Sequence, residues 1–324
     1  MSRIAAIDPH GPDPGLDPAL AQGLSGQAPR VRAAARRAIA RCFAARVAAD
    51  GSDAWHGSTL TGDGFPLEFA VAARDPQLRF SCEPGSRTLA PQARLQLASE
   101  LAEQLGDTPL PAEPLAALRW AHHGASLRYG GWLGVRVSAE GAIATKLYAE
   151  LSPDHPPPLL GDRVPGLPDR PAQPRMLGIC GDGSSELYLR VPSLLPAELP
   201  ALLAPAGLAD RAGEVLAVLS ESYGQHLQGR VPGSSVGVSY APDAQGCTVT
   251  LYLFARALWG SDSRIRQRFA ALIANPAQRR AYLSATAPLA ARDEWATRHG
   301  LAGLVLRPGA PPSWVIGFRP MPAG

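Results

Sequence analysis

Five times along this chain, two short runs of alternating apolar and polar residues flank a turn, and helical sequence separates most of the repeats. The segments are 64–84, 130–151, 175–191, 234–255 and 303–320. A period of two puts alternate side chains on opposite faces of a strand, and a polar or glycine-containing turn between two such runs makes a hairpin. In the first three segments the turns are read at Arg74-Asp75-Pro76, Glu140-Gly141 and Gly181-Asp182-Gly183. Ten antiparallel strands in sequence order leave two open edges unless the sheet closes on itself. The pattern therefore predicts an α/β protein built as a ten-stranded antiparallel β-barrel of consecutive hairpins, surrounded by α-helices.

The intervening sequence supplies those helices. Val31, Ala35, Ile39, Phe43 and Val47 recur every four residues with arginine on the other faces, an amphipathic pattern. Residues 90–106 and 111–124 read as a helical pair, 195–204 and 208–227 as another, and 261–298 as a long helical stretch. The proline-rich connection 152–174 cannot be regular structure. Residues 1–28, rich in Pro, Gly and Asp without periodicity, read as a flexible N-terminal arm, which leaves 29–324 as a single domain.

Alternation also says which face is inside. Leu133, Val135, Val137, Ile143, Leu147 and Ala149 share one parity in the second hairpin, and Trp132, Arg136, Lys146 and Tyr148 hold the other. The third hairpin sets Leu187, Leu189 and Val191 against Glu186, Tyr188 and Arg190; the fourth sets Val249, Leu251 and Leu253 against Thr248, Thr250, Tyr252 and Phe254. Amphipathic helices must cover the aliphatic face, so the charged and aromatic face lines the lumen. A closed barrel of this size encloses a ligand. Lys146 is the one lysine among 31 basic side chains, and a compact ammonium is not replaced isosterically by a guanidinium.

Other classes are disfavoured. A net charge of +3, with no Lys/Arg run, excludes nucleic acid as the main partner. The first residues carry no apolar signal core and no long apolar span follows, so a cytoplasmic protein without a membrane partner is expected. Cys42, Cys82, Cys180 and Cys247 lie far apart without CxxC spacing and read as free thiols. Ser235 sits in a G-x-S-x-G string that leads into a strand, which is not a nucleophile elbow. The glycine-rich turn at 181–183 lacks the lysine of a phosphate loop, and His122, His123 and His155 lack partners at ligand spacing, so no metal site is expected.

Three echoes mark the lumenal parity: "KLYAEL" at Lys146, "ELYLRV" at Glu186 and "TLYLFA" at Thr250, each placing a tyrosine two residues after a polar position. With "LTGDGFPLEF" at the first strand, this organisation resembles the ABBA, or PT-barrel, aromatic prenyltransferases, nearest to their dimethylallyltryptophan synthase branch. The likeness spans about residues 30 to 320 in organisation, and its residue motifs are short. It implies a metal-independent enzyme that moves a dimethylallyl or longer prenyl group from an allylic diphosphate, its co-substrate, to an aromatic, indole-like acceptor. It requires no cofactor and acts as a monomer or homodimer with small-molecule partners. By position, Arg79, Lys146 and Tyr148 match its diphosphate and shield residues, Tyr188 and Tyr252 its remaining shield, and Glu68 its acceptor-binding glutamate.

The chemistry of the residues agrees. Ionising an allylic diphosphate needs fixed cations at the leaving group, and Arg79, Arg136, Lys146 and Arg190 are on the lumenal parity. Aromatic faces stabilise the carbocation left behind, Trp132 is placed to stack on an acceptor, and Glu68 can hold an indole N–H and collect the released proton. Three departures stand out: Ser184 and Glu186 occupy positions that are basic in the family branch, Thr250 replaces a Gln or Lys, and 152–174 replaces a helical pair. They leave open the same fold acting on a guanidine or peptide nucleophile, or a non-catalytic ligand-binding barrel.

Overall fold

In the computed structural model, residues 17–106, 108–152, 165–167 and 171–321 are described. Ten strands form: β1 (Leu67–Ala72), β2 (Asp75–Cys82), β3 (Gly131–Val137), β4 (Ile143–Glu150), β5 (Gln173–Cys180), β6 (Ser185–Pro192), β7 (Ser235–Asp243), β8 (Gly246–Phe254), β9 (His299–Arg307) and β10 (Ala310–Phe318). They close in the order β1-β10-β9-β8-β7-β6-β5-β4-β3-β2, every neighbouring pair antiparallel. The seam pairs the first strand with the last, Phe69 opposite Phe318 and Val71 opposite Ile316. Because consecutive strands pair as hairpins, all five tight turns lie at one end of the barrel and the longer connections at the other.

The helices are α1 (Asp17–Gly23), α2 (Pro29–Asp50), α3 (Pro91–Leu105), α4 (Ala112–His122), α5 (Leu199–Leu203), α6 (Ala212–Tyr223), α7 (Ala255–Trp259), α8 (Asp262–Leu272) and α9 (Pro276–Ala285). Pro29, Pro91 and Pro276 open their helices at the first turn, where a missing N–H costs nothing. The Asn275 side chain caps α9 by accepting from the backbone N–H groups of Ala277 and Gln278.

Outward-facing Leu133, Val135, Val137, Leu147, Ala149, Leu187, Leu189, Val191, Val249, Leu251 and Leu253 are all buried in one core beneath these helices. The expected division of faces therefore holds on β3, β4, β6 and β8. Arg46, wholly buried on α2, ties that helix to the sheet. Its Nε donates to Ala54 O at 2.5 Å and its terminal nitrogens to Gly85 O at 3.0 Å, His56 O at 2.9 Å and Glu83 Oε1 at 3.5 Å.

Several expectations shift. The first turn is Ala73-Arg74, because Asp75 still pairs with Ala72 and β2 runs through Pro76. Helix does not continue to 298: α9 stops at Ala285, and the following chain folds back so that Asp293 accepts from the hydroxyls of Ser261 and Ser263, next to the start of α8. The 195–204 segment splits into a 3-10 turn and the short α5. In the N-terminal arm, the part from Asp17 holds α1, and Leu20 and Leu24 are buried in the core. Residues 1–16 and His155, like most of the 152–174 connection, lie outside the described residues. No described helix is long and apolar enough to cross a membrane.

Candidate active site in the barrel lumen

Strand register fixes which lumenal side chains meet. Lys146 on β4 faces Gly134 on β3 and Cys180 on β5, and Tyr148 faces Trp132 and Gly178. Gly178 in turn faces Glu186 on β6. A Cβ on Gly178 would stand 2.3 Å from Lys146 Cε, so the bare glycine lets the lysine stem lie across β5 and reach the next strand. There its ammonium hydrogen-bonds and ion-pairs with Glu186 and lies 3.3 Å from the Tyr188 hydroxyl. Gly134 does the same for Tyr148, whose ring edge would be 2.6 Å from a Cβ.

Both members of this pair are charged. Burial by itself would depress the Lys146 ammonium, but Glu186, with Tyr148 and Cys180, moves it above its ordinary value. Burial would likewise raise Glu186, and Lys146 together with the hydroxyls of Ser239 and Tyr188 brings it below. The ammonium lies 5.4 Å from the ring centroids of both Tyr148 and Tyr188. The rings continue as a row, Tyr148 to Tyr188 at 5.7 Å and Tyr188 to Tyr252 at 6.0 Å. Burial pushes the Tyr188 and Tyr252 hydroxyls far above a free phenol, so they stay protonated. Ser239 Oγ approaches the Tyr252 hydroxyl at 3.4 Å.

The arginines divide. Arg79 and Arg136 face each other across β2 and β3 near the turn end of the barrel. Arg79 is held by Asp75, and burial followed by the charge of Arg136 lowers its pKa. Arg136 is exposed to the lumen with no described salt-bridge partner. Burial would lower it, but Tyr148, Cys180 and Glu186 raise it overall. Arg190 sits at the level of Gly237 and Tyr252, four residues along β6 from Glu186, so it does not join the Lys146 cluster.

Glu68 lies at the opposite, helix-connected end, on β1. A Cβ on Gly317 or Gly300 would come within 2.7 or 2.5 Å of its carboxyl, so bare backbone on β10 and β9 makes its niche. Burial raises its pKa to about 7, against the lowering effect of Arg319. Arg319 is fixed by Asp63 at 2.6 Å, and Asp63 also binds Arg298 at 2.8 Å. Trp132 is already engaged: its Nε1–H donates to Glu83 at 3.2 Å and one face stacks on Tyr129 at 4.0 Å.

Ser239, Asp63 and the four lumenal glycines were not read as site residues from the sequence, which left Arg319 open between the lumen and its rim. The glycines carried a signal, since an interior strand glycine marks a close approach; Asp63 did not, because only the fold brings the loop before β1 to Arg319 after β10. Cys42 and Cys82 are buried free thiols, and Cys180 and Cys247 are half-buried. His122 is buried with its Nε2 2.6 Å from Glu150 O, and Ser235 opens β7. Among the described residues no group of three or more His, Cys, Asp or Glu is arranged to hold a metal.

No protein-family model and no curated protein matches the chain. Solved structures do. The prenyltransferase PriB, in its apo form, superposes with a TM-score of 0.70 at 18% identity, covering 93% of this chain and 94% of its own. The 6-dimethylallyltryptophan synthase of Micromonospora olivasterospora, in complex with DMASPP and Trp, gives 0.68 at 17%, covering 93% and 96%. The fold is the prenyltransferase barrel. The 5-dimethylallyltryptophan synthase of Streptomyces coelicolor, in complex with the same two ligands, gives 0.67 at 15%, covering 93% and 91%. As a prenyltransferase barrel, the chain carries its lone lysine and its row of tyrosines on the lumenal face.

Proposed function

We propose that this chain transfers a prenyl group, dimethylallyl or longer, from an allylic diphosphate to an aromatic acceptor of indole type, in the barrel lumen. The observation that carries this is the Lys146 ammonium set 5.4 Å from two tyrosine rings, with Tyr252 continuing the row. A cation for the leaving group stands beside aromatic faces for the carbon it leaves behind. Complexes of two synthases that share the fold with DMASPP and Trp support the same pair of substrates here.

In the reaction, the allylic C–O bond breaks and the diphosphate leaves with the electron pair, toward Lys146, Arg136 and Arg79. The allyl cation rests against Tyr148, Tyr188 and Tyr252, which exclude water. An electron pair of the acceptor ring forms the new C–C bond, and the ring proton passes to the Glu68 carboxylate. A pKa of about 7 leaves much of Glu68 ionised and basic enough to accept it near neutral pH. Glu68 also accepts the indole N–H, which orients the ring.

Incubation with dimethylallyl diphosphate and tryptophan, or a tryptophan-containing cyclic dipeptide, is expected to yield an acceptor heavier by one dimethylallyl unit by mass spectrometry, and Lys146→Ala to abolish it. Failure with every allylic diphosphate and aromatic acceptor would overturn the proposal. The Lys146–Glu186 pair favours one other reading, a barrel that holds an amphipathic ligand without catalysis. Its signature is ligand binding with no pyrophosphate release.

A further inference from the structure

The ion pair inside the barrel sits where an incoming diphosphate would place negative charge. We infer that Glu186 takes up one proton when the diphosphate of the donor binds beside Lys146, so that donor capture is coupled to protonation of this carboxylate. The inference rests on the donor site proposed above and goes beyond it.

The geometry makes the coupling hard to avoid. Lys146 crosses Gly178 to reach Glu186, so an anion that meets this ammonium also meets the carboxylate on it. Like charges that close cannot both stay ionised in a water-poor site, and the weaker acid takes the proton. The groups facing Glu186 are Lys146 and Tyr148 from β4, Arg136 from β3, Cys180 from β5, Tyr188 from its own strand, Ser239 from β7 and Tyr252 from β8. The lysine and arginine already carry their positive charge, and burial holds the protons on the Tyr188 and Tyr252 hydroxyls. Among the described side chains of that cluster, Glu186 is the carboxylate.

The proton comes from bulk water, and the Lys146 ammonium keeps its charge. Once protonated, Glu186 turns from an acceptor of the lysine N–H into an O–H donor to a diphosphate oxygen, and Lys146 is released to the same anion. In the free protein Glu186 sits below its ordinary value; next to the diphosphate it is raised. Between those two values affinity falls as pH rises, by up to about tenfold per pH unit for one linked proton, and it levels off below the lower one.

The test is calorimetric titration with dimethylallyl S-thiolodiphosphate at pH 7 and pH 8, in buffers of different ionisation enthalpy, so that the heat counts protons. Wild type is expected to take up close to one proton per ligand. Glu186→Gln is expected to lose that uptake and to bind several-fold tighter than wild type at pH 8, while Glu68→Gln keeps the uptake. Equal uptake in wild type and Glu186→Gln would overturn the inference, as would weaker binding by Glu186→Gln at pH 8. Absence of proton uptake by wild type overturns it even if that variant fails to fold. If wild type binds no thiolodiphosphate at either pH, the donor site itself fails and the inference falls with it; binding without Glu186-dependent uptake sinks the inference alone.

Discussion

At the residue scale, the lumen is organised by what glycine leaves out. Replacing Gly178 with alanine puts a methyl 2.3 Å from Lys146 Cε, and the lysine must give up Glu186 to avoid it. Gly178→Ala is therefore expected to weaken thiolodiphosphate binding about tenfold or more, measured by titration, while the unfolding transition moves by about 1–3 kcal/mol. The pair itself should show coupling. Lys146→Met leaves a buried carboxylate without its partner and is expected to cost about 3–5 kcal/mol in denaturant unfolding, whereas Lys146→Met with Glu186→Gln should cost clearly less.

Glu68 is a separate case, with its folded pKa raised to about 7 from 4.5. The folded state then holds the proton more tightly, so its contribution is full below 4.5 and is lost as pH rises through 7. Glu68→Gln is expected to gain up to about 3 kcal/mol relative to wild type between pH 4 and pH 8 in urea titrations, while losing transfer activity. That Lys146, Tyr148, Tyr188 and Tyr252 share the lumenal face was legible because alternation assigns a face, whereas Glu68 was singled out by the family resemblance. Their partners were not, since register across β5 decides that Lys146 meets Glu186, and no local pattern encodes register.

At the element scale, hairpins were legible and helix limits less so. Period-two runs around turns define strands on their own, and β3, β4, β6, β7, β8 and β10 follow them closely, while β5 starts at Gln173 and β9 at His299, ahead of the hairpins read from the sequence. The stretch after α9 was misread as helix because its composition suits one; what wins is Asp293 binding Ser261 and Ser263. The short α7 follows β8 directly, without the four-residue spacing that marked α2. Element anchoring rests heavily on Arg46, which binds three backbone carbonyls and Glu83 from within α2. Arg46→Ala would take the guanidinium from the carbonyls of Ala54, His56 and Gly85 and leave Glu83 to Thr59, Trp132 and Arg94. It is expected to destabilise by about 3 kcal/mol or more, read as a lower denaturant midpoint.

At the scale of the molecule, closure is the organising fact. The seam between β1 and β10 joins residues 243 to 249 positions apart, so the barrel is not closed until the last strand arrives. Closure was legible from the number and order of hairpins, because an open sheet of this length leaves edges that nothing in the sequence protects. It creates the enclosed lumen in which one ammonium and three tyrosine rings meet, and the central claim is that this lumen receives an allylic diphosphate through Lys146. Calorimetric titration of wild type and Lys146→Ala with dimethylallyl S-thiolodiphosphate measures this directly. Binding on the order of micromolar for wild type, lost in the alanine variant, is the expected result; equal affinity in the two proteins, or no binding by wild type to thiolodiphosphates of any chain length, would contradict it.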